Sequence, residues 1–192
     1  NNHDGTFTDV GQKAGVTLGN WYTGSNFSAS AGDGLLDLFV PGYIHWDAKH
    51  PLSVGTDTAG NGFCEFRGVH VMCGPRGLPG ESDHLFHNNG DGTFDEISAA
   101  AGVQVDSWSS SAVLADLNDD GLLDLFVVTY LRAEDDPPRL CRDPQAPTQT
   151  VQCPPTLYPA LDDVLFINDG QGGFVDVTAA AGINGKDGKG LA

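Results

Sequence analysis

The stretch DLNDDGLLD, residues 116–124, places oxygen-bearing side chains at alternate positions and ends in one more aspartate. Ca²⁺ takes about six to eight oxygen ligands and tolerates irregular geometry, whereas Mg²⁺ demands a stricter octahedron. The glycine inside the stretch can adopt the positive φ that turns the chain. The sequence therefore predicts a calcium site with four side-chain ligands and one main-chain carbonyl: Asp116, Asn118, Asp120, the carbonyl of Leu122, and Asp124.

The spacing of these acids does not match an EF-hand. An EF-hand loop carries a bidentate glutamate at its twelfth position, which falls on Val127 when counted from Asp116. The flanking segments are rich in apolar and β-branched residues and lack helix caps, so they predict a strand on each side of the loop. An ordinary hairpin turn is the alternative, because Asp, Asn and Gly also favour turns for backbone reasons.

The chain contains internal repeats. Residues 1–43 and 88–130 align without a gap and are identical at 19 of 43 positions, far more than shared composition would produce. A third copy starts at residue 168, and the residues before it, 153–167, align with 73–87. Duplication of one unit explains this pattern, so the first copy should contain a second loop of the same kind.

That second loop is degenerate. Ala29 and Ala31 stand where the first two ligands are expected, which leaves Asp33 and Asp37 alone. Two carboxylates without the rest of the shell should bind calcium weakly or not at all. A hydroxyl from Ser28 or Ser30 is the alternative that would partly restore the site. We therefore expect one strong calcium site and a weak or degenerate second one.

Four cysteines, an even number, predict disulfides and an oxidising compartment. Three pairings are possible. Two copies of the repeat each have one cysteine at an equivalent position and a second one somewhat earlier, so pairing within a copy is the simplest arrangement. The spacings lack the CxxC pairs of a zinc site, and free thiols or a metal cluster are the alternatives. The expected pairs are Cys64 with Cys73 and Cys141 with Cys153.

The charge balance argues against several partners. The net charge is -17, with nine Lys and Arg against 26 Asp and Glu. Such an excess of negative charge disfavours nucleic acid and an anionic membrane surface. The sequence has no run of about eighteen apolar residues, so membrane insertion is not expected. Hydrophobic residues make up 40% of the chain and recur in short runs between turn signals, which predicts folding into strands.

Four short strands are predicted in the middle copy: HLFHN, GTFDEIS, SSAVLADL and LDLFVVTY. Four antiparallel strands per copy are typical of a propeller blade, which must pack against neighbouring blades. The expected fold is all-β, with β-propeller-type four-stranded antiparallel blades in about two and a half repeats, incomplete at both ends. The predicted units are a partial blade (1–43), a cysteine-containing insertion loop (44–82), a complete blade (83–131), a second cysteine-containing insertion loop (132–162) and a partial blade (163–192).

Some side chains are better explained by packing than by chemistry. Aromatic residues recur at equivalent positions of the copies and should pack between blades. His84 and His87 have a spacing seen in metal sites, but on a strand they should point to opposite faces. The aromatic set comprises Phe7, Phe94, Phe174, Trp21 and Trp108.

The repeat pattern DxLFxNxGDGTFxDVTxxAGV, followed by a tryptophan and DxNxDGxxD, resembles the FG-GAP/VCBS-type repeat family, which includes the α-subunit propeller of integrins. The C…CGP segment before DHLF is similar to the subset associated with ASPIC/UnbV-type extracellular proteins. The resemblance covers nearly the whole chain. It implies propeller blades with Ca²⁺ bound in a strand-connecting loop, at the five ligand positions given above.

These features favour a secreted or cell-surface structural or adhesion module that binds calcium and is not an enzyme. Its expected partners are other blades or copies of the same protein, together with an extracellular protein or glycan ligand. The first alternative is the subunit of an extracellular filament that grows head-to-tail by completing open blades. The second is a non-catalytic part of a secreted propeller enzyme, since fold does not determine function.

Overall fold

Short strands joined by turns make up most of this protein. The computed structural model describes residues 1–46, 49, 53–56, 62–66, 68–72, 79–132, 139–148, 150–151, 153–185 and 188–190. The strands are β1 (Trp21–Tyr22), β2 (Asn26–Ser28), β3 (Asp37–Val40), β4 (Gly42–Ile44), β5 (Ser53–Thr56), β6 (Gly62–Phe66), β7 (Val69–Met72), β8 (Glu81–Ser82), β9 (His84–Asn88), β10 (Phe94–Glu96), β11 (Asp106–Ser107), β12 (Ser109–Ala115), β13 (Asp124–Thr129), β14 (Cys141–Arg142), β15 (Thr150–Val151), β16 (Val164–Asn168) and β17 (Phe174–Asp176). The helices are α1 (Gly11–Ala14), α2 (Ser98–Ala101) and a 3-10 turn (Pro155–Leu157).

Two four-stranded antiparallel sheets form the body of the fold. Sheet I has the strand order β10-β9-β3-β2, and sheet II has the order β12-β13-β16-β17. Leu38 lies opposite Phe86 in sheet I, and the repeat-equivalent Leu125 lies opposite Phe166 in sheet II. The two sheets therefore share one register, as duplication of the sequence requires. The predicted all-β fold with four-stranded antiparallel sheets is confirmed.

The sheets cross the boundaries of the sequence repeat, which corrects the complete blade predicted at 83–131. Strands β9 and β10 of that segment belong to sheet I, whereas β12 and β13 belong to sheet II. Helix α2 and strand β11 lie between them and carry the chain from one sheet to the other. Turn signals locate strands along the sequence, but they do not predict which strands pair with one another in a sheet.

An apolar core lies between the two sheets. Phe39 and Leu85 of sheet I pack with Leu125, Val127 and Phe166 of sheet II, and Ala101 of α2 and Val103 after it complete the buried cluster. None of the five side chains from the two sheets is more than 3% exposed. Burying a side chain of this size contributes about 1.5–3 kcal/mol, so this core holds the sheets together.

The opposite face of sheet I is covered by a segment of the first copy. Leu38, Val40 and Phe86 pack against partly buried residues in the segment 16–22 and against Phe94. This segment follows α1 in the chain, just as Val103 and Val105, which pack between the two sheets, follow α2. The same local sequence thus serves the same packing role in both copies.

The segments predicted as insertion loops contain strands of their own. In the first, β5, β6 and β7 form a three-stranded sheet, and in the second β14 and β15 form a hairpin. These strands are two to five residues long, so their sequence signal is weak. No helix in the described part of the chain is long and apolar enough to cross a membrane.

Candidate metal centre

The two candidate metal loops occupy equivalent places in the two sheets. The intact loop (116–124) joins β12 to β13, and the degenerate loop (29–37) joins β2 to β3. Both pairs of strands are antiparallel neighbours. The strands predicted on each side of the intact loop are therefore present, and an EF-hand is excluded by the fold as well as by the spacing.

The intact loop is coiled by its own carboxylates. Asp116 accepts hydrogen bonds from the backbone N–H groups of Asp120 at 3.2 Å and Gly121 at 2.9 Å. Asp120 Oδ1 accepts the N–H of Leu122 at 2.8 Å. Asp119 has φ 62° and Gly121 has φ 85°, in the left-handed region that Asp and Gly enter more readily than other residues. The local sequence thus determines the loop conformation.

Asp124 is the buried member of the intact loop and is 0% exposed. Its Oδ2 accepts the N–H of Leu117 at 3.0 Å, and its Oδ1 accepts the N–H of Asn168 at 3.0 Å. An ionised carboxylate offers about four acceptor positions, of which two are used here. Because burying a charge is costly unless the charge is paired, this carboxylate has both the capacity and the need for a cation.

The donor chemistry of the intact loop fits Ca²⁺, because three carboxylates, one amide oxygen and one carbonyl are hard oxygen ligands. In the structure, Asn118 Oδ1 accepts the N–H of Asp120 at 3.0 Å, and Asn118 Nδ2 donates to Asp120 Oδ2 at 2.9 Å. Among the residues that the structure describes, no three His, Cys, Asp or Glu side chains converge as a metal site. Calcium binding at this loop therefore stays a prediction.

The buried aspartate of the degenerate loop is saturated by protein donors. Asp37 is 2% exposed. Its Oδ2 accepts the hydroxyl of Ser30 at 2.6 Å and the N–H of Ala31 at 3.1 Å. Its Oδ1 accepts His87 Nδ1 at 3.0 Å and the N–H of Asn88 at 3.0 Å. Since an ionised carboxylate only accepts, Nδ1 of His87 carries the proton in this contact.

Asp33 and Asp37 lie on two sides of the His87 ring. His87 Nε2 is 3.9 Å from Asp33 Oδ2, and the other ring nitrogen contacts Asp37. Asp33 Oδ1 also accepts the N–H of Leu35 at 2.9 Å, in the way that Asp120 accepts the N–H of Leu122. The structure thus brings the two predicted ligands together around a histidine.

His84 has a separate environment from His87. His84 Nε2 lies 3.3 Å from the Tyr22 hydroxyl, and its ring stacks on Phe86 with centroids 5.9 Å apart. His87 instead contacts Asp37. The two histidines therefore have different partners, as the expected alternation along a strand implies.

Sequence reasoning missed Asn168, which joins the two loops. Its Nδ2 donates to the carbonyls of Ser30 at 3.0 Å and Leu123 at 3.1 Å, and its own N–H donates to Asp124. Asn168 is 6% exposed. The signal was the recurrence of asparagine at the end of β9 and β16, where Asn88 is the equivalent residue. Asn168 connects the intact loop of sheet II with the degenerate loop of sheet I.

Sequence reasoning also missed Asp83, at the opposite end of sheet I from the loops. Asp83 is 0% exposed and accepts the N–H of Gly42 at 2.7 Å and the hydroxyl of Ser109 at 3.2 Å. Desolvation by burial raises the pKa of this carboxyl to about 7. The equivalent Asp163 is half-buried and accepts the N–H of Thr129 at 2.8 Å. An aspartate two residues before a repeated leucine was the available signal.

The disulfide predicted for the third copy is present. Cys141 and Cys153 are bonded, with Cα atoms 5.2 Å apart. The bond closes the insertion that contains the β14-β15 hairpin. The other predicted pair, Cys64 with Cys73, cannot be compared in the same way because Cys73 lies outside the described residues.

The repeated aromatic residues divide into packed and exposed members. Phe94 and Phe174 pack against core clusters, and Trp108 is 8% exposed. Phe7 and Trp21 are 78% and 57% exposed, which corrects the expectation that all five pack between blades. Both belong to the first copy.

Stacked four-stranded antiparallel sheets, built from a repeated unit with a polar loop between its last two strands, define a propeller-type repeat protein. Residues 71–127 match the family of FG-GAP-like repeats. The FG-GAP-type repeat predicted from the sequence is therefore confirmed for this segment, and with it the propeller-type blade. FG-GAP-like repeats are structural repeats. No curated protein and no solved structure matches the chain.

Proposed function

We propose that this chain is a calcium-stabilised structural or adhesion module that works outside the cell. The FG-GAP-like repeat and the Cys141–Cys153 disulfide support the location, because both are typical of extracellular proteins. The observation that carries the calcium proposal is Asp124, a fully buried carboxylate with two unused acceptor positions beside a loop rich in oxygen ligands.

The ligands would be the oxygens of the intact loop: Asp116, Asn118, Asp120, the carbonyl of Leu122, and Asp124. A bound Ca²⁺ supplies two positive charges to a loop that otherwise holds three carboxylates close together. Asp124 begins β13 and Asp116 follows β12, so a shared cation would tie the two strands at their turn. Because the ligands come together only in the folded chain, binding free energy becomes folding free energy.

Calorimetric titration of the chelator-treated protein with CaCl₂ tests this proposal. We expect one site in the unaltered chain and none in Asp120→Ala, with MgCl₂ giving much weaker binding. Asp33→Ala is the matched control, since Asp33 is the repeat-equivalent of Asp120 in the degenerate loop. Absence of binding to the unaltered chain, or equal loss in both variants, would contradict the proposal.

A second candidate, the subunit of a head-to-tail filament, is favoured by the outward face of sheet II. Phe126 and Leu165 on this face are half-buried, whereas their equivalents in sheet I, Phe39 and Leu85, are 0% and 2% exposed under sheet II. Val175 on the same face is 54% exposed. A second copy of the chain would cover this face as sheet II covers sheet I.

Light scattering coupled to size-exclusion chromatography, followed by negative-stain microscopy, tests the filament. We expect particles that grow with protein concentration, and their loss in Val175→Asp because a charge would be buried in the contact. Leu140→Asp is the control, since Leu140 is 40% exposed and lies in the insertion. A monomer at every concentration would exclude the filament and leave the calcium proposal untouched.

A further inference from the structure

We propose that Ser30 and His87 take the place of a cation in the degenerate loop, so that this loop is closed by the protein's own hydrogen-bond donors and holds no calcium. The inference deepens the calcium function proposed above and rests on it for its metal-binding test. It concerns which of two repeated loops can accept the metal, and which side chains decide.

The first argument is the number of donors on each buried aspartate. Asp37 accepts four hydrogen bonds, two on each oxygen, and a carboxylate has about four acceptor positions in total. Asp124 accepts two, one on each oxygen. The residue that should be the last ligand of the degenerate loop therefore has no acceptor position left for a metal, whereas its equivalent has two.

The second argument is that the extra donors occur only in sheet I, which carries the degenerate loop. Ser30 is equivalent to Leu117, and His87 is equivalent to Ile167, so the intact loop has apolar side chains at both positions. Leu117 is 51% exposed and contributes only its backbone N–H to Asp124. The loss of two ligands to alanine and the gain of two side-chain donors are found around the same sheet, although Ser30 comes from the first copy and His87 from the middle one.

The third argument is that there is empty space beside Asp37. A cavity of about 220 Å³ lies beside the carboxylate and is lined by Ser30, Asp37 and His87, among others. A cation-sized volume is therefore present beside Asp37, yet both of its oxygens are already occupied by donors. Ser30 donates to Asp37 and not to His87, so the three side chains do not form an activated nucleophile either.

The sharpest test restores the metal site in steps. The ligand graft, Ala29→Asp with Ala31→Asn, supplies the two missing ligands but keeps both donors. The full graft adds Ser30→Leu and His87→Ile, which makes the loop and its neighbour identical to the intact copy at these positions. Calcium stoichiometry is measured by calorimetry and by native mass spectrometry, with circular dichroism as the control for folding.

We expect one calcium ion in the unaltered chain, one in the ligand graft and two in the full graft. Two ions in the ligand graft would show that Ser30 and His87 do not close the site and would overturn the inference. A folded full graft that still binds one ion would overturn it as well, because some other feature would then exclude the metal.

A measurement without calcium decides the inference separately from the proposed function. In EDTA, Ser30→Ala with His87→Ile should lower the melting temperature by roughly 5 °C, because Asp37 loses two donors while buried. Leu117→Ala with Ile167→Val is the control at the equivalent positions and removes no hydrogen bond. An unchanged melting temperature for Ser30→Ala with His87→Ile would overturn the inference, even if the unaltered chain binds calcium. The expected drop in melting temperature would support the inference, even if the unaltered chain binds no calcium.

Discussion

The intact loop and the degenerate loop occupy equivalent positions in the repeat, and each ends in a buried aspartate. The two aspartates have different hydrogen-bond partners. Asp124 has two backbone donors, whereas Asp37 has two backbone and two side-chain donors. Both carboxylates are at most 2% exposed. A buried charge must be compensated in either copy. The comparison teaches that the buried aspartate needs compensation in both copies and that the side chains around it decide whether hydrogen-bond donors or a cation supply it.

Removal of calcium should have the largest effect, and only through the intact loop. At a calcium concentration about 100 to 1,000 times the dissociation constant, binding would stabilise the fold by roughly 2.7–4.1 kcal/mol, so EDTA should lower the melting temperature by roughly 8–12 °C. Differential scanning calorimetry with and without EDTA measures this shift. Asp120→Ala should melt at the lower temperature in both buffers, while Asp33→Ala should keep the shift.

An equal melting temperature in calcium and in EDTA would show that the intact loop, like the degenerate one, is not stabilised by calcium. Both would then be closed by hydrogen bonds alone. If Asp33→Ala abolished the melting-temperature shift, the metal would be bound by the degenerate loop and not by the intact one.

The next largest effect should come from Asp83, which distinguishes sheet I from sheet II at the end away from the loops. Burial raises its folded-state pKa from 3.8 to about 7. Because the folded-state pKa lies above that of the unfolded chain, the contribution of Asp83 is fully present below about pH 4 and is lost as the pH rises through about 7. Between about pH 5 and 8 the loss should be on the order of 3 kcal/mol.

Urea denaturation in EDTA between about pH 5 and 8 measures this contribution, because EDTA removes the pH dependence of metal binding. Asp83→Asn keeps a side-chain carbonyl for the N–H of Gly42 and carries no charge, so its stability should fall less steeply with pH. Asp163→Asn, at the half-buried equivalent position, should keep the slope of the unaltered chain. Parallel slopes for Asp83→Asn and the unaltered chain would refute the assignment.

The smallest of these effects should come from the asparagines that end β9 and β16. Asn168→Ala leaves the carbonyls of Ser30 and Leu123 without their donor in a buried site, which should cost roughly 2 kcal/mol. Asn88→Ala removes only exposed bonds, to the carbonyl of Leu36 and from the N–H of Gly90, and should cost about half as much or less. Equal losses in urea denaturation would show that the contact between the two loops carries no extra stability.

Hydrogen exchange gives a second readout for Asn168. If its amide couples the loops, Asn168→Ala should speed exchange in the degenerate loop as well as in the intact one. Asn88→Ala should affect the degenerate loop alone. Faster exchange confined to the intact loop in Asn168→Ala would show that the two loops behave independently.

Several features of the fold could be predicted because they depend on local sequence. The repeat, the strands on both sides of residues 116–124 and the Cys141–Cys153 pair all follow from residue types and spacing. The division of residues 83–131 between two sheets could not be predicted, because hydrogen-bonded neighbours of a strand can come from any part of the chain. The exposure of Phe7 and Trp21 depends in the same way on which face another sheet covers.

The sequence by itself determined the duplicated unit, its strands, the oxygen-rich loop of one copy and the loss of two ligands from the other. These properties are local, since they rest on side-chain chemistry and on φ preferences within a few residues. Only the tertiary structure decided that His87 closes the degenerate loop and that Asn168 joins the two loops. His87 lies 50 residues from Asp37, and Asn168 lies 138 residues from Ser30, so only the pairing of β9 with β3 and the packing of sheet II on sheet I bring them together.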